Sequence, residues 1–385
     1  MTLPEEISAK ILQILEMPGL DQTTKSAHNA KLQVLKQQMR KLAANFMTCK
    51  PSEEQYTNAY FAYNFPTNLM KTLIVTKEIE SRYPGVMSGR TRVKVLDIGC
   101  GDGAAICGLY YALKDSPFIK KFNCTGVDFS RSMLERARVM GRWLAGCDVR
   151  VKIRFRWQRI TDRGVSGRKS RYDVIVCVNS LAEIVQGDNI PVRFVRAIEK
   201  CLTDGGFFVV IEPALKKYTR RLMMLRDELA AQRRASVILP CLHDDPCTLM
   251  KVDSREEWCH QSLDWSPPDF LKVINQGLNR EIDVLKFAYL VIAKGQMPCS
   301  KPDGYRVISQ LLKEKGKQRC FICTPQGRVE LIKFIKSRTA DNKVFDSICK
   351  GDILKLQHVD AQKRQRWYIT EKTVVEIIKQ KSPWY

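Results

Sequence analysis

The sequence predicts an α/β protein with a parallel central sheet, preceded by a helical segment and followed by a small β-rich domain. Short runs rich in Val, Ile and Phe alternate with stretches whose apolar residues recur at helical spacing, as in repeated strand–helix–strand units. A turn with three alternate glycines follows the first of these strands. Beyond residue 302 short strands separated by glycines replace the helical spacing, which indicates a second domain.

The composition is that of a globular protein with a large basic excess. The 385 residues include 64 Lys and Arg against 41 Asp and Glu, a net charge of +23. This excess favours a polyanionic partner, and nucleic acid is the favoured one. A chain of this length accommodates two or three domains, and we predict a helical cap over 1–88, the α/β domain over 89–295 and the β-rich domain over 303–385.

The expected location is the cytoplasm, or the mitochondrial matrix if the protein is eukaryotic. The first residues are acidic and lead into an amphipathic helical pattern, which fits neither a secretory signal nor an Arg-rich transit peptide. The sequence contains no run of about 18 apolar residues, so no membrane-spanning helix is predicted. In a reducing compartment the 14 cysteines favour metal binding or plain burial over disulfide bonds. We expect a monomer without a membrane partner.

The first 88 residues predict two or more helices. Apolar residues recur at helical spacing over 7–15 and 32–42, on either side of Pro18-Gly19. The aromatic stretch Tyr60–Pro66 follows, and Pro66 is predicted to open a helix that continues through Ile74. The aromatic residues either pack this cap onto the next domain or close over a ligand.

The glycine-rich turn follows a strand that ends near Asp97. A turn that leaves a strand often needs positive φ, and a backbone without Cβ atoms lets a ligand approach closely. Amide groups at the start of the next helix would face that ligand. The pattern Asp-x-Gly-x-Gly-x-Gly, with Gly99, Gly101 and Gly103, resembles the first motif of the Rossmann-like class I methyltransferases that bind S-adenosylmethionine. That resemblance implies that Asp97 anchors the amino-acid end of the ligand.

A second strand over Phe122–Asp128 also ends in an acid. In a doubly wound sheet an acid at this point accepts hydrogen bonds from ribose hydroxyls, so Asp128 is the ribose candidate. Ser130 is expected to cap the helix that runs from Met133 to Trp143.

Residues Val149–Trp157 alternate strictly between apolar and basic side chains, as expected of a strand with one cationic face. Two interpretations remain open. The charges protect an edge strand against aggregation, or they contact RNA. The cationic face consists of Arg150, Lys152, Arg154 and Arg156.

Further strands are predicted over Tyr172–Asn179 and Gly205–Pro213, whose near-continuous apolar character is typical of strands buried on both faces. Asn179, at the end of the fourth strand, is a further candidate for cofactor binding. Phe287–Lys294 is expected to be the last strand of the sheet, after a long insertion. The insertion begins with a helix over Thr219–Arg234, whose basic face contains Arg220, Arg221, Arg226, Arg233 and Arg234.

The predicted linker Gly295–Pro302 leads into the β-rich domain. Its short strands predict a small, OB-like β-barrel, a fold that often binds oligonucleotides. The predicted strands are Arg319–Cys323, Arg328–Phe334, Ile353–His358 and Arg366–Ile369.

Three cysteines, Cys241, Cys247 and Cys259, lie in the loop-like part of the insertion, over 235–262. Their 5- and 11-residue gaps do not match the paired spacing of zinc fingers. Four thiolates are the usual ligands of an iron–sulfur cube, which the irregular spacing fits better. Zinc and free structural cysteines remain the alternatives. Candidates for a fourth ligand are Cys323, Cys320, His243 and His260, whereas buried apolar roles are predicted for Cys100, Cys107, Cys124, Cys177, Cys201 and Cys349.

The order of several short motifs resembles the methyltransferase-like family associated with the mitochondrial small ribosomal subunit and its bacterial relatives. The resemblance extends over about residues 55–360. The motifs are Tyr60–Pro66, Leu96–Gly103, Glu212-Pro213 with Leu225–Asp227, Pro240–Asp244, Trp258–His260 and Cys320–Gly327.

That resemblance implies a [4Fe-4S] cluster bound by four cysteines and an action on small-subunit ribosomal RNA or a pre-ribosomal particle, mainly in assembly. Carried onto this chain, the ligands are Cys241, Cys247, Cys259 and one of the pair Cys320 and Cys323. Cys323 is preferred because it stands just before the Pro-Gly turn.

Whether the protein is an enzyme stays open at this stage. Methyl transfer from a sulfonium mainly requires alignment of the nucleophile with the methyl carbon, so a missing base is weak evidence. The segment Asn179–Ala182 lacks the Asn/Asp-Pro-Pro-aromatic sequence of amino-group methyltransferases. No catalytic residue is identified. The two hypotheses are a ribosome assembly factor that binds S-adenosylmethionine and an active RNA methyltransferase with a structural metal site.

Overall fold

The computed structural model shows a helical cap, a central mixed sheet with helices on both faces and a second, mainly antiparallel sheet at the C-terminal end. It describes residues 1–44, 54–84, 86–87, 89–161, 170–232, 236–250, 258–295, 303–363 and 365–378. No helix within these ranges is both long and apolar enough to cross a membrane. Most of the predicted linker, 296–302, lies outside the described residues.

Three helices form the cap: α1 (Glu5–Ile14), α2 (Asn29–Ala44) and α3 (Thr57–Arg82). The prediction that Pro66 opens a helix is wrong, because α3 begins nine residues earlier and Pro66 lies inside it. An internal proline costs a helix about 3 kcal/mol. Here α3 is buried over most of its length, and its packing against the helix that follows the glycine turn outweighs this cost.

The central sheet has the strand order β3-β2-β1-β4-β5-β8-β6, with β7 paired to β8. Six further helices connect its strands. The strands are β1 (Arg92–Ile98), β2 (Lys121–Asp128), β3 (Val151–Trp157), β4 (Tyr172–Val178), β5 (Leu202–Pro213), β6 (Ser236–Leu239), β7 (Gln261–Asp264) and β8 (Val284–Ala293), and the helices are α4 (Ala104–Leu113), α5 (Arg131–Cys147), α6 (Leu181–Ile184), α7 (Val192–Glu199), α8 (Lys216–Gln232) and α9 (Asp269–Asn275).

The sheet is parallel from β1 to β5, as predicted, and antiparallel beyond it. The strand β8 runs antiparallel to β5, and the short strands β6 and β7 pair with the far side of β8. The last strand in sequence is therefore not at the edge of the sheet. The insertion supplies β6 and β7, each of four residues, and they cover an edge that would otherwise be open.

Both faces of the central sheet are covered by apolar layers. The cap helices, α4 and α9 pack on one face, whereas α7 and α8 pack on the other. Burial on both faces explains the near-continuous apolar sequences of β4 and β5. This arrangement is the Rossmann-like methyltransferase architecture expected from the glycine turn.

The C-terminal domain is a second eight-stranded sheet with its own core. Its strands pair in the order β14-β15-β12-β11-β9-β13-β16, with β10 on β11. Within the described residues this pairing is a path with two ends, so strand pairing does not close the predicted barrel. Its strands are β9 (Tyr305–Val307), β10 (Leu312–Glu314), β11 (Lys317–Thr324), β12 (Gly327–Phe334), β13 (Ile353–Gln357), β14 (Asp360–Lys363), β15 (Arg366–Ile369) and β16 (Val374–Ile377).

Candidate functional site

The three glycines of the turn all adopt left-handed backbone conformations. The φ angle is 67° at Gly99, 49° at Gly101 and 87° at Gly103, which directly precedes α4. A Cβ atom on Gly99 would lie 2.5 Å from the side chain of Ser180. A side chain at this position is therefore excluded both by the backbone conformation and by the lack of space.

Asp128, the ribose candidate, holds the glycine turn in place. Its Oδ2 accepts a hydrogen bond from the Gly101 amide at 2.9 Å, and its Oδ1 accepts one from the Ser130 amide at 2.8 Å. Burial raises its pKa, although these amide bonds oppose the shift. The predicted helix cap is confirmed, because Ser130 Oγ accepts from the Met133 amide at 3.3 Å.

Asp97 is a buried carboxyl group without a hydrogen-bond partner. It is 1% exposed, and neither of its carboxylate oxygens is paired within the described part of the chain. Burial raises its pKa well above the ordinary value, and the nearby charges of Asp128 and Asp102 raise it further. A buried carboxylate left in this state is costly unless a ligand donates to it. Its position fits a ligand that presents an ammonium group.

Asp102 is a second buried acid in the same turn. Its Oδ1 accepts from the Ala104 amide at 3.3 Å, while its Oδ2 has no partner within the described ranges. Burial raises the pKa of Asp102 to about 7. Three carboxyl groups therefore surround the turn, which favours a cationic ligand.

The cap helix α3 contacts this site through polar side chains. Asn179, at the end of β4, has a φ of 54° and donates through Nδ2 to Asn68 Oδ1 at 2.8 Å. Burial raises the pKa of Tyr60, and the charges of Asp102, Glu183 and Asp128 act in the same direction. Phe61 and Phe65 are buried in the core, which confirms the packing role, whereas Tyr60 lies near the acids of the turn and closure over a ligand stays a prediction.

The four cysteines implied as ligands line one cavity of about 70 Å³. Cys241, Cys247 and Cys259 come from the insertion, and Cys323 comes from β11 of the C-terminal sheet. Cys320 is fully buried in the core of that sheet. Because it stands three residues from Cys323 on the same strand, its side chain points to the opposite face.

A single metal ion does not have a preformed site here. Within the described ranges, no group of three or more His, Cys, Asp and Glu side chains is arranged to hold a metal ion. Burial, and then the neighbouring thiols, raise the pKa of Cys259 to about 11 and that of Cys323 to about 12. The four thiols therefore line a common cavity, and among the described residues they do not form a preformed site for a single ion.

The two histidines considered as ligands have different environments. His243 Nε2 lies 3.5 Å from Cys323 Sγ, at the cavity. His260 also lines the cavity, but both of its ring nitrogens have other partners: Nδ1 lies 3.1 Å from the Trp258 carbonyl and Nε2 lies 3.1 Å from Lys350 Nζ. Burial and the charge of Lys350 lower the pKa of His260.

The motif Leu225–Asp227 orders the cysteine loop, a role that the sequence did not reveal. Arg226 Nη1 donates to the Asp245 carbonyl at 2.5 Å, and Arg226 Nη2 donates to the His243 carbonyl. The Asp227 carboxylate accepts from the Cys247 amide at 2.9 and 3.0 Å. One turn of α8 therefore fixes the backbone of the loop that contains two of the cysteines.

A buried ionic network adjoins the same cavity. Arg306 on β9 pairs with Glu78 of α3 at 2.7 Å, and the Tyr289 hydroxyl donates to Glu78 at 2.6 Å. Burial opposes the charges of Arg306 and Arg226, but nearby anionic groups, which include Cys241, raise the pKa of both guanidinium groups. Two buried cations thus lie beside the cysteines. This network joins residues more than 200 positions apart, so no local pattern could predict it.

The predicted basic faces are partly corrected. β3 is an edge strand and begins at Val151, whereas Arg150 precedes it and pairs with Asp148 at 2.7 Å. Lys152, Arg154 and Arg156 are exposed.

The basic face predicted for α8 is not a solvated one. Arg221 and Arg226 are buried and donate to backbone carbonyls, and Arg233 and Arg234 lie outside the described residues. The predicted burial of Cys349 is also wrong, because this residue is only half-buried, in a loop before β13.

The fold and the glycine turn define a protein of the Rossmann-like methyltransferase architecture with an added cysteine loop and C-terminal β domain. Residues 54–361 match the family model described as mitochondrial small ribosomal subunit Rsm22. The chain therefore belongs to the Rsm22 family, and the resemblance predicted from its motifs is confirmed. None of the curated proteins compared with the chain matches it.

Similar solved structures are distant methyltransferases. The plantazolicin methyltransferase BpumL in complex with SAH is 15% identical, with a TM-score of 0.35 and coverage of 69% of this chain and 97% of that chain. A putative class I S-adenosylmethionine-dependent methyltransferase from Listeria monocytogenes is 14% identical, with a TM-score of 0.39 and coverage of 78% and 91%. Magnesium protoporphyrin IX methyltransferase from Synechocystis is 13% identical, with a TM-score of 0.34 and coverage of 60% and 81%.

Proposed function

We propose that the protein binds S-adenosylmethionine and a [4Fe-4S] cluster and acts on small-subunit ribosomal RNA, or on a pre-ribosomal particle, during assembly of the small ribosomal subunit. Membership of the Rsm22 family supports the ribosomal partner. The single observation that best supports the ligand is Asp97, a buried, unpaired carboxyl group beside three left-handed glycines.

S-adenosylmethionine fits the chemistry of this pocket. Its ammonium group would donate to Asp97, and its amino-acid end would lie against the backbone of Gly99 and Gly101. Asp128 accepts the Gly101 amide through Oδ2 and the Ser130 amide through Oδ1, and since a carboxylate has about four acceptor sites, lone pairs remain for the ribose hydroxyls. The Oδ1 atom of Asn179 has no partner within the described part of the chain and is available to a donor group of the ligand.

The cysteine cavity fits a cluster better than it fits zinc. Zinc binds thiolates at about 2.3 Å and would draw all four sulfur atoms around one ion. A four-iron cube binds one thiolate at each iron, so its ligands are spread around a larger volume. The buried cations of Arg226 and Arg306 would offset the negative charge of the thiolates.

Metal analysis of protein purified without oxygen tests the cluster. We expect a brown protein with iron and sulfide in about a 4:4 ratio, and loss of both in a Cys241→Ser variant. A colourless protein with one equivalent of zinc would refute the cluster. Isothermal titration with S-adenosylmethionine tests the other pocket, with Asp97→Asn as the variant expected not to bind.

An active RNA methyltransferase with a structural metal site is the second candidate. The observation in its favour is that Asp97, Asp128 and Asn179 lie at the carboxyl ends of the adjacent strands β1, β2 and β4, because alignment of donor and acceptor is most of what methyl transfer requires. Small-subunit RNA and precursor particles incubated with methyl-labelled donor distinguish the two candidates. Incorporation at a single site, lost in Asp97→Asn, would establish the enzyme.

A further inference from the structure

Two large aromatic side chains lie exposed at the carboxyl edge of the central sheet. Phe129 directly follows β2 and is 39% exposed, and Trp157 ends β3 and is 60% exposed. Trp157 pairs in register with Asp128, and its Nε1 donates to the Phe129 carbonyl at 2.7 Å. The indole is therefore held in a defined position although most of its surface faces solvent.

Each of these aromatic rings is stacked by a guanidinium group. Arg131 lies over the Trp157 ring at 4.8 Å from its centroid, and Arg159 lies over the Phe129 ring at 5.5 Å. Planar guanidinium groups and aromatic rings are the side chains on which unstacked bases bind. We call Phe129, Arg131, Trp157 and Arg159 the aromatic platform.

The edge strand leads from this platform as a row of cations. Lys152, Arg154 and Arg156 alternate along β3 and are exposed. Within the described residues none of the three forms an ion pair, and neither do Arg131 and Arg159. Protection of an edge strand requires charge alone. It does not explain exposed aromatic rings beside the charges, so the combination favours a polyanion with accessible planar groups.

We propose that the aromatic platform and the β3 cations bind single-stranded RNA, with one or two unstacked bases on Trp157 and Phe129 and the phosphates along Lys152, Arg154 and Arg156. A duplex does not fit, because its bases are stacked on one another and present only their edges. The platform adjoins Asp128, so the bound strand would pass beside the proposed donor pocket. This inference rests on the proposed action on ribosomal RNA and specifies the surface and the form of RNA.

Fluorescence anisotropy with the full-length, cluster-loaded protein tests the proposal. The probes are a labelled oligouridine and a blunt RNA duplex of the same length. Stacking contributes about 1–3 kcal/mol per base, so the Phe129→Ala/Trp157→Ala variant is expected to bind the oligouridine about 5- to 150-fold more weakly if one base is stacked, and more weakly still if two are. Phe118→Ala is the matched control, because Phe118 is also exposed, at 58%, but lies outside the platform.

The charged row has a separate readout. Each phosphate contact contributes about 0.7 to the slope of log affinity against log salt for a single strand. The Lys152→Gln/Arg154→Gln/Arg156→Gln variant is therefore expected to lower this slope by about 2. Thermal unfolding and titration with S-adenosylmethionine verify that each variant is folded. Trp157→Phe keeps an aromatic ring at this position and is therefore expected to retain most of the affinity for the oligouridine.

Several outcomes would overturn the inference. The inference would be wrong if Phe129→Ala/Trp157→Ala bound the oligouridine as tightly as the wild type. It would also be wrong if the duplex bound as tightly as the oligouridine and depended on Trp157 to the same extent. Polyglutamate bound as tightly as oligouridine, and lost in the same variants, would indicate an acidic protein partner instead. If the wild-type protein bound no RNA at all, the proposed function itself would fail, whereas RNA binding independent of the platform would refute only this inference.

Discussion

At the scale of single residues, the burial of Asp97 opposes the stability of the fold. Its carboxyl group is 1% exposed and has no hydrogen-bond partner among the described residues, and an unsatisfied buried polar group costs about 1–3 kcal/mol. Selection for folding alone would remove such a group. By contrast Asp173, which is also buried, is paired with Arg90 at 2.7 Å and accepts from the Lys94 amide.

Burial raises the pKa of Asp97 well above its ordinary value, so at a pH above that ordinary value the folded state bears the cost of a proton or a buried charge that the unfolded state does not carry. Because Asn cannot ionise, Asp97→Asn is expected to raise the free energy of unfolding without ligand by about 1–3 kcal/mol at pH 8 and to abolish binding of S-adenosylmethionine. Asp173→Asn is the matched control and is expected to destabilise the protein without affecting the pocket directly. Urea unfolding and calorimetric titration measure the two effects. Ligand binding retained in Asp97→Asn would contradict the assigned role of this carboxylate.

Asp102 should make the stability of the ligand-free protein depend on pH. Its pKa is raised by burial from 3.8 to about 7, so the folded state keeps a proton that the unfolded state has already released. Its contribution to stability is complete below about pH 4 and is lost as the pH rises through 7, at up to about 1.4 kcal/mol per pH unit. Asp102→Asn should lack this loss. If the free energies of unfolding of the wild type and Asp102→Asn changed with pH in the same way between pH 5 and 8, the loss of stability could not be assigned to Asp102.

At the scale of secondary-structure elements, the turn between β1 and α4 depends on glycine for two reasons. Gly99 has a φ of 67°, and a Cβ atom there would lie 2.5 Å from Ser180. We expect Gly99→Ala to lower the free energy of unfolding by about 1–2 kcal/mol or more and to prevent ligand binding. Gly146, in α5, has open space around its Cα atom, so Gly146→Ala is expected to be neutral or stabilising. Equal effects of the two substitutions would refute the argument.

The elements also show which features a sequence reveals. The strands β1, β2, β4 and β5 and the turn between β1 and α4 have strong local patterns, namely apolar runs, terminal acids and alternate glycines, and their predictions were confirmed. The start of α3 was missed because Pro66 is a local signal, whereas the helix is stabilised by burial against α4. β6 has only four residues, too few for a recognisable period.

The residues of the candidate site fall into the same two groups, those with a local sequence signal and those without one. Asp97, Asp128 and the cysteines could be named as candidates because each residue type is informative on its own, whereas Asp102 was not singled out. The contacts of Asn68 with Asn179 and of Glu78 with Arg306 were not predicted, because they join distant parts of the chain. Arg226 looked like part of a solvated basic face, since helical spacing alone does not show that the cysteine loop folds back onto α8.

At the scale of the whole molecule, the cysteine cavity lies between the two sheets. Three of its cysteines come from the insertion in the α/β domain, and Cys323 comes from the C-terminal sheet. The ion pair between Glu78 and Arg306 joins the same two domains beside the cavity. A cluster held by all four cysteines would therefore fasten the domains together, because metal binding adds its free energy to the folded arrangement.

This arrangement predicts that loss of the cluster loosens the domain interface. Cys247→Ser should lower the iron content and increase proteolytic cleavage between residues 295 and 303, with faster amide hydrogen exchange in β9 and β11, while the core strands β1 and β4 stay protected. Cys320→Ser is the matched control, since Cys320 is buried in the C-terminal core and faces away from the cavity; it should retain iron and resist cleavage. If Cys247→Ser lost its iron yet kept wild-type resistance, the ionic network of Glu78 and Arg306 would be sufficient to hold the domains, and the cluster would have no role in joining them.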